Sequence, residues 1–139
     1  MPTTIEARIE KALLERVNTI TVSPALPIAW PNVNYTPSPS TRYLRVNHIP
    51  NRAGRVHISS TAAHRRYGVL QMTAFLPKNG GPTNATELAG AVAAHFPADH
   101  EMTVEGVTVR VTEAPSIAQA LPDDTHWMVP ITVPYECWA

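Results

Sequence analysis

The sequence predicts an α+β fold in which a mainly antiparallel β-sheet packs against two α-helices in a single domain, residues 1–139. Three observations carry the prediction. Two stretches place apolar residues at the helical repeat, several others alternate with the period of two that a strand requires, and the late strands follow hairpin-like connections with no run of βαβ units. A chain of 139 residues can bury one hydrophobic core but is short for two.

Thr3 followed by Glu6 is a capping-box pattern, after which Ile5, Ile9, Ala12, Leu13 and Val17 recur opposite Glu6, Glu10, Lys11 and Glu15. A helix from Thr3 to Asn18 is expected. Pro24, Pro27, Pro31, Pro37 and Pro39 then interrupt regular structure, leaving room for a short extended piece around Ile28–Trp30 and a polar loop over 31–41. Tyr43 to Ile49 alternates as a strand, with Leu44 and Val46 on one face and Arg45 and Asn47 on the other. Residues 50–64 show no period and are expected to form an exposed flap.

Arg66 to Leu76 is the longest alternating run and the expected central strand, with Leu70, Met72, Ala74 and Leu76 facing one way. A turn over Pro77–Pro82 leads to a second helix, with Asn84 and Glu87 as its capping pair and Leu88, Ala89, Val92, Ala93 and Phe96 on its apolar side. Met102–Glu105 and Val107–Thr112, joined at Gly106, read as a hairpin. Residues 113–125 read as irregular. Trp127 to Tyr135 alternates again, but Pro130 and Pro134 remove two N–H groups from the same lateral side, so this strand is expected to be an edge on that side.

The composition excludes several function classes. No apolar run of 18 residues exists to cross a membrane as a helix, and residues 1–15 mix acids and bases where a signal peptide would be basic and then apolar. A cytoplasmic, unexported chain with no membrane partner is the expectation. The one cysteine, Cys137, can form neither an internal disulfide nor a zinc framework. His95, Asp99, His100, Asp123, Asp124 and His126 lack the spacing of a helix-borne metal site, and Ser59 and Ser60 between His57 and His64 lack the elbow that presents a hydrolase serine. Neither an enzyme nor a cofactor is expected.

The net charge of zero conceals a division. Between Arg16 and Thr86 there are eight bases and no acid, while the remainder holds all eleven acids against three bases. The candidate contact residues lie in the basic part: Arg42, Arg45, Arg52, Arg55, Arg65 and Arg66, with Tyr43 and Tyr67 beside them. Phosphates held by arginine with bases stacked on tyrosine would make a nucleic-acid module, although such a protein ordinarily carries a basic excess. In a head-to-tail ring, by contrast, a basic patch on one subunit can meet an acidic patch on the next, and neutrality is expected.

The segments IEARIEKALLERV, PIAWPNVNYTP, YLRVNHIPN, HRRYGVLQMTAFLPKNGG, TNATELAGAVAAHFP, VRVTEAPSIAQAL and HWMVPITVPYEC occur in this order along nearly the whole chain. Together they resemble the tail terminator proteins of long-tailed phages and gene transfer agents. The resemblance implies a structural subunit of a virion or phage-like particle, assembled in the bacterial cytoplasm. It implies a homohexameric ring that caps the head-proximal end of the tail tube, stops tube growth and provides the joint to the head. The implied partners are further copies of the chain, the tail tube protein, head-tail connector or neck proteins, and DNA passing through the lumen without specific binding. Another neck or tail-completion component of the same particle is the sister reading. By position, the arginines around residues 50–64 and Tyr67 would face the tube, the neck or the lumen.

Overall fold

The computed structural model describes residues 3–21, 26–36, 41–54, 64–78, 82–122 and 126–139. They form helices α1 (Ile5–Asn18) and α2 (Pro82–Ala94). The strands are β1 (Ile28–Ala29), β2 (Tyr43–Gly54), β3 (Arg65–Pro77), β4 (Glu101–Val104), β5 (Val107–Val111), β6 (Ser116–Ile117), β7 (Leu121–Pro122) and β8 (His126–Trp138). The sheet order is β1-β2-β3-β8-β5-β4, with β6 and β7 also on β8, and every pairing except β1 with β2 is antiparallel. The expected α+β architecture is therefore the observed one.

Alternation sends Leu44 and Val46 of β2, Leu70, Met72, Ala74 and Leu76 of β3, and Val129, Ile131, Val133, Tyr135 and Cys137 of β8 into one core. The helices close that core from the same side. α1 contributes Ile9, Ala12, Leu13 and Val17, and α2 contributes Ala85, Leu88, Ala89, Val92 and Ala93, with Phe96 just beyond its end. These are the apolar stripes that the helical repeat predicts. The opposite face of the β2–β3 hairpin holds a smaller cluster of Ala29, Tyr43 and Phe75, in which the two rings stack with centroids 4.6 Å apart.

Helix α1 packs over β4 and β5, yet its polar side reaches β2 and β3 near the other margin of the sheet. Arg8 pairs with Glu105 in the β4–β5 turn at 3.3 Å, while Glu6 and Glu10 engage Arg66 and His48. The helix thus bridges the two margins of the sheet. At its far end, Arg16 donates two hydrogen bonds, at 2.9 and 2.8 Å, to the carbonyl of His95, just past the last turn of α2. A guanidinium there satisfies an acceptor that the helix itself leaves open.

Several local expectations need correction. The N-cap of α1 is Thr4, whose hydroxyl accepts from the Ala7 N–H at 3.2 Å, and not Thr3. With Thr4 as the cap the third helical position is Ala7, so Glu6 closes no capping box; its carboxylate pairs with Arg66 at 2.7 Å. α2 begins at Pro82, ahead of the expected cap at Asn84, consistent with proline's tolerance in a first helical turn. The expected flap over 50–64 is shortened, since β2 continues through a pairing irregularity between Pro50 and Ala53 to Gly54; residues 55–63 lie outside the described residues. The β4–β5 hairpin turns on Glu105 and Gly106, both with positive φ, as a two-residue hairpin turn requires.

The largest correction concerns β8. It is not an edge but the middle of the sheet, paired with β3 along its whole length from His126 to Trp138. The proline argument nevertheless has a visible counterpart. The carbonyls of Pro134 and Pro130 accept from Thr112 and Ala118, which places the proline nitrogens on the border away from β3. That border is covered in three pieces, β5 at one end and the two-residue β6 and β7 beyond, where a continuous ladder would need the missing donors.

Candidate functional site

The predicted contact residues do not form one patch. Arg42 just precedes β2 and Arg45 lies near its start, Arg65, Arg66 and Tyr67 lie at the start of β3, and Arg52 in the last part of β2; Arg55 lies outside the described residues. Arg45 pairs in register with Thr73, eight residues along β3 from Arg65, a separation of roughly 26 Å. The hairpin therefore divides the cluster between its two ends.

At the open end, the guanidinium of Arg45 lies 5.8 Å from the Tyr43 ring centroid. His126 stands edge-on to both Tyr43 and Phe75, and its Nε2 lies 3.0 Å from the Thr41 carbonyl. It is fully buried, so this histidine is a packing element of the smaller cluster.

At the other end, alternation separates Arg65 and Tyr67 from Arg66. Arg65 lies over Tyr67 at 4.8 Å and donates to the Glu136 carboxylate on the neighbouring strand at 3.1 Å. Arg110 donates to the second oxygen of Glu136 and, at 2.5 Å, to Asp99. Glu136 is only 7% exposed and its carboxyl lies below the ordinary value of 4.5, chiefly because Arg110 hydrogen-bonds the charged form, with Arg65 adding to it. Trp138, in register with Arg65, completes a cross-strand group of Arg65, Tyr67, Glu136 and Trp138. The sequence marks Glu136 as the single acid of β8, but its two arginines come from strands far away in the chain.

Arg66 points to the opposite face, donating to Glu6 at 2.7 Å and to the Ala139 carbonyl at 3.4 Å. Beside it a cleft of about 470 Å³ opens between α1 and the hairpin, lined by Glu6, Glu10, His48, Arg66, Tyr67 and Tyr135. His48 Nδ1 lies 3.4 Å from Glu10, and its Nε2 lies 2.5 Å from the Tyr135 hydroxyl. Burial, with the charges of Cys137 and Glu10 added, pushes Tyr135 up to about 12. With the phenol keeping its proton, the Tyr135 hydroxyl can donate to Nε2 of His48 when the imidazole carries its proton on Nδ1, the nitrogen that faces Glu10. Nothing in the sequence spacing of positions 10, 48 and 135 signals this chain.

These contacts join the two charge classes. Arg65 and Arg66 from the basic segment each hold a carboxylate from the acidic remainder. The charge division along the sequence is partly cancelled by folding. The histidine and serine candidates are likewise dispersed: His95 contacts Thr19 and Arg16, Asp99 holds Arg110, and the backbone of His64 exchanges two bonds with Ala139. Ser59, Ser60 and His57 lie outside the described residues. Burial raises the Cys137 thiol above its ordinary range, so it packs as a neutral group. Among the described residues, no three His, Cys, Asp or Glu side chains are grouped to hold a metal ion, and no helix is long and apolar enough to cross a membrane.

Comparison with known proteins adds what the site geometry alone does not contain. A family model described as phage tail terminator protein matches residues 8–135. One solved structure superposes with a TM-score of 0.71 at 31% sequence identity, covering 96% of this chain and 92% of the other. No curated protein sequence matches the chain.

Proposed function

The chain belongs to the phage tail terminator family, a family of structural tail components, and from that premise we propose that it caps the head-proximal end of a tail tube as a homohexameric ring. The ring stops tube polymerisation and offers the surface to which connector or neck proteins attach. The observation that carries this reading is the family match from Arg8 to Tyr135, which spans both helices nearly whole and all eight strands save the end of β8.

In this reading the chain acts through shape and charge. Arg65, Arg66 and Tyr67 at one end of the hairpin and Arg42 and Arg45 at the other contact neighbouring protein or line the lumen, as do Arg52 and Arg55. DNA passes without specific binding. Arg65 and Arg66 already hold Glu136 and Glu6, which disfavours their use as a dedicated phosphate clamp.

Particles assembled without this protein should carry tails of unregulated length in electron micrographs. The assembled protein should scatter light as a species of about 91 kDa, six times 15.2 kDa. Tails of normal length without the protein would overturn the terminator role, and a species that stays monomeric even with tail tube added would overturn the ring.

A further inference from the structure

Two exposed surfaces have complementary chemistry. The first is the platform of Arg65, Tyr67 and Trp138 on the face of the sheet away from both helices. Trp138 is 52% exposed, and the cation of Arg65 lies over Tyr67. The Glu136 carboxylate is sunk between Arg65 and Arg110, so the surface presents guanidinium and aromatic groups while the anion stays beneath. Trp, Tyr and Arg are the residues that most often dominate protein interfaces.

The second is the arm over 113–122. It is held to β8 by the two-residue β6 and β7 and by the Ala118 N–H on the Pro130 carbonyl, with Ala120 against the core, and it exposes Glu113, Ile117 and Leu121, the last two at 43% and 46%. From Val111 to the C-terminus the sequence has no lysine or arginine. The arm thus exposes apolar Ile117 and Leu121, with Glu113 as its one charged residue. Ile117 pairs with Ile131, seven residues along β8 from Trp138, or roughly 23 Å, so the arm does not reach the platform of its own chain.

We propose that the Arg65–Tyr67–Trp138 platform of one copy receives the 113–122 arm of the next, with Ile117 or Leu121 against Trp138 and Glu113 toward Arg65. The contact joins two different surfaces, and so repeats around a ring. It rests on the ring reading above and names the surfaces that make the ring. Apolar contact supplies the affinity, while the acid and the arginine select the register.

The test places the photo-cross-linker p-benzoylphenylalanine at position 138 in the full chain, mixed with isotope-labelled wild-type chain and with tail tube protein. Light scattering follows assembly, and mass spectrometry identifies the cross-linked peptide. Labelled peptide containing residues 113–122 is the expected product. Trp138→Ala and Leu121→Asp should each weaken self-association at least about tenfold; Leu121→Asp, at an exposed position, should leave the unfolding midpoint unchanged, whereas Trp138→Ala also removes a hydrogen bond to Glu136 and lowers it modestly. Cross-links to another part of the partner copy, to tail tube or to added DNA would overturn the proposal while leaving the ring standing, as would assembly without cross-links. Failure to assemble at all would remove both the contact and the ring.

Discussion

His48 Nε2 and the Tyr135 hydroxyl meet 2.5 Å apart across β3, over a position that only glycine can occupy. A Cβ on Gly68 would stand 2.8 Å from the Tyr135 hydroxyl and 2.6 Å from the Ile49 carbonyl oxygen. The second distance involves backbone, which cannot yield cheaply.

Gly68→Ala should therefore destabilise the protein by about 1–3 kcal/mol through overpacking. Tyr135→Phe, which removes the bond but keeps the ring, should cost less, about 1 kcal/mol. Urea unfolding of the two variants checks the order. An unchanged midpoint for Gly68→Ala would mean that β2 and β8 do not clasp β3 as described.

The cap assignment distinguishes adjacent threonines. Thr4→Ala should cost about 1 kcal/mol because the Ala7 N–H loses its acceptor, and Thr3→Ala should be close to neutral. Thermal melts of both variants decide it, and the reverse order would restore the capping box at Thr3.

Core burial predicts a larger loss. Leu13 is fully enclosed between α1 and the sheet, and Leu13→Ala should cost about 2–5 kcal/mol from lost transfer energy and the cavity left behind. A loss below 1 kcal/mol, measured by urea unfolding, would place α1 outside the core.

Acid stability should show two separate windows. His95 lies below its ordinary 6.5, first because burial penalises the charged imidazolium and second because Arg16 is nearby. The unfolded chain then binds the proton more readily, so stability falls as pH drops below about 6.5 and levels off once the folded-state group has titrated. Glu136 acts lower. Its folded value is depressed by Arg110, so its contribution is present above 4.5 and lost as pH falls through the folded value. His100 is lowered in the same way by burial and Arg16, so His95→Asn should shrink the first window and His95→Asn with His100→Asn should flatten it, while Glu136→Gln flattens the second, in melts recorded from pH 8 to 3. A variant that leaves its own window unchanged would show that its group does not titrate differently on folding.

Local patterns made much of the fold legible. Both apolar helix stripes, the inward residues of the long strands and the Glu105–Gly106 turn follow from period and turn chemistry, because each depends on neighbours a few residues away. The cap of α1 falls one residue beyond the expected Thr3, and Glu6 pairs instead with Arg66, a partner sixty positions distant. Tertiary pairing of that kind leaves no local trace.

The arginines show the same division at the site. Their concentration between Arg42 and Arg66 is plain in the sequence, but not that the hairpin holds Arg45 far from Arg65, nor that Glu136 lies between Arg65 and Arg110. Pro130 and Pro134 are the sharpest case. The sequence alone determined that one border of β8 cannot form a continuous ladder, because proline lacks the N–H and four-residue spacing repeats on one side. Only the tertiary structure decided that β8 lies in the middle of the sheet, since the pieces that cover that border, β5, β6 and β7, are chosen by register and core packing across the whole chain.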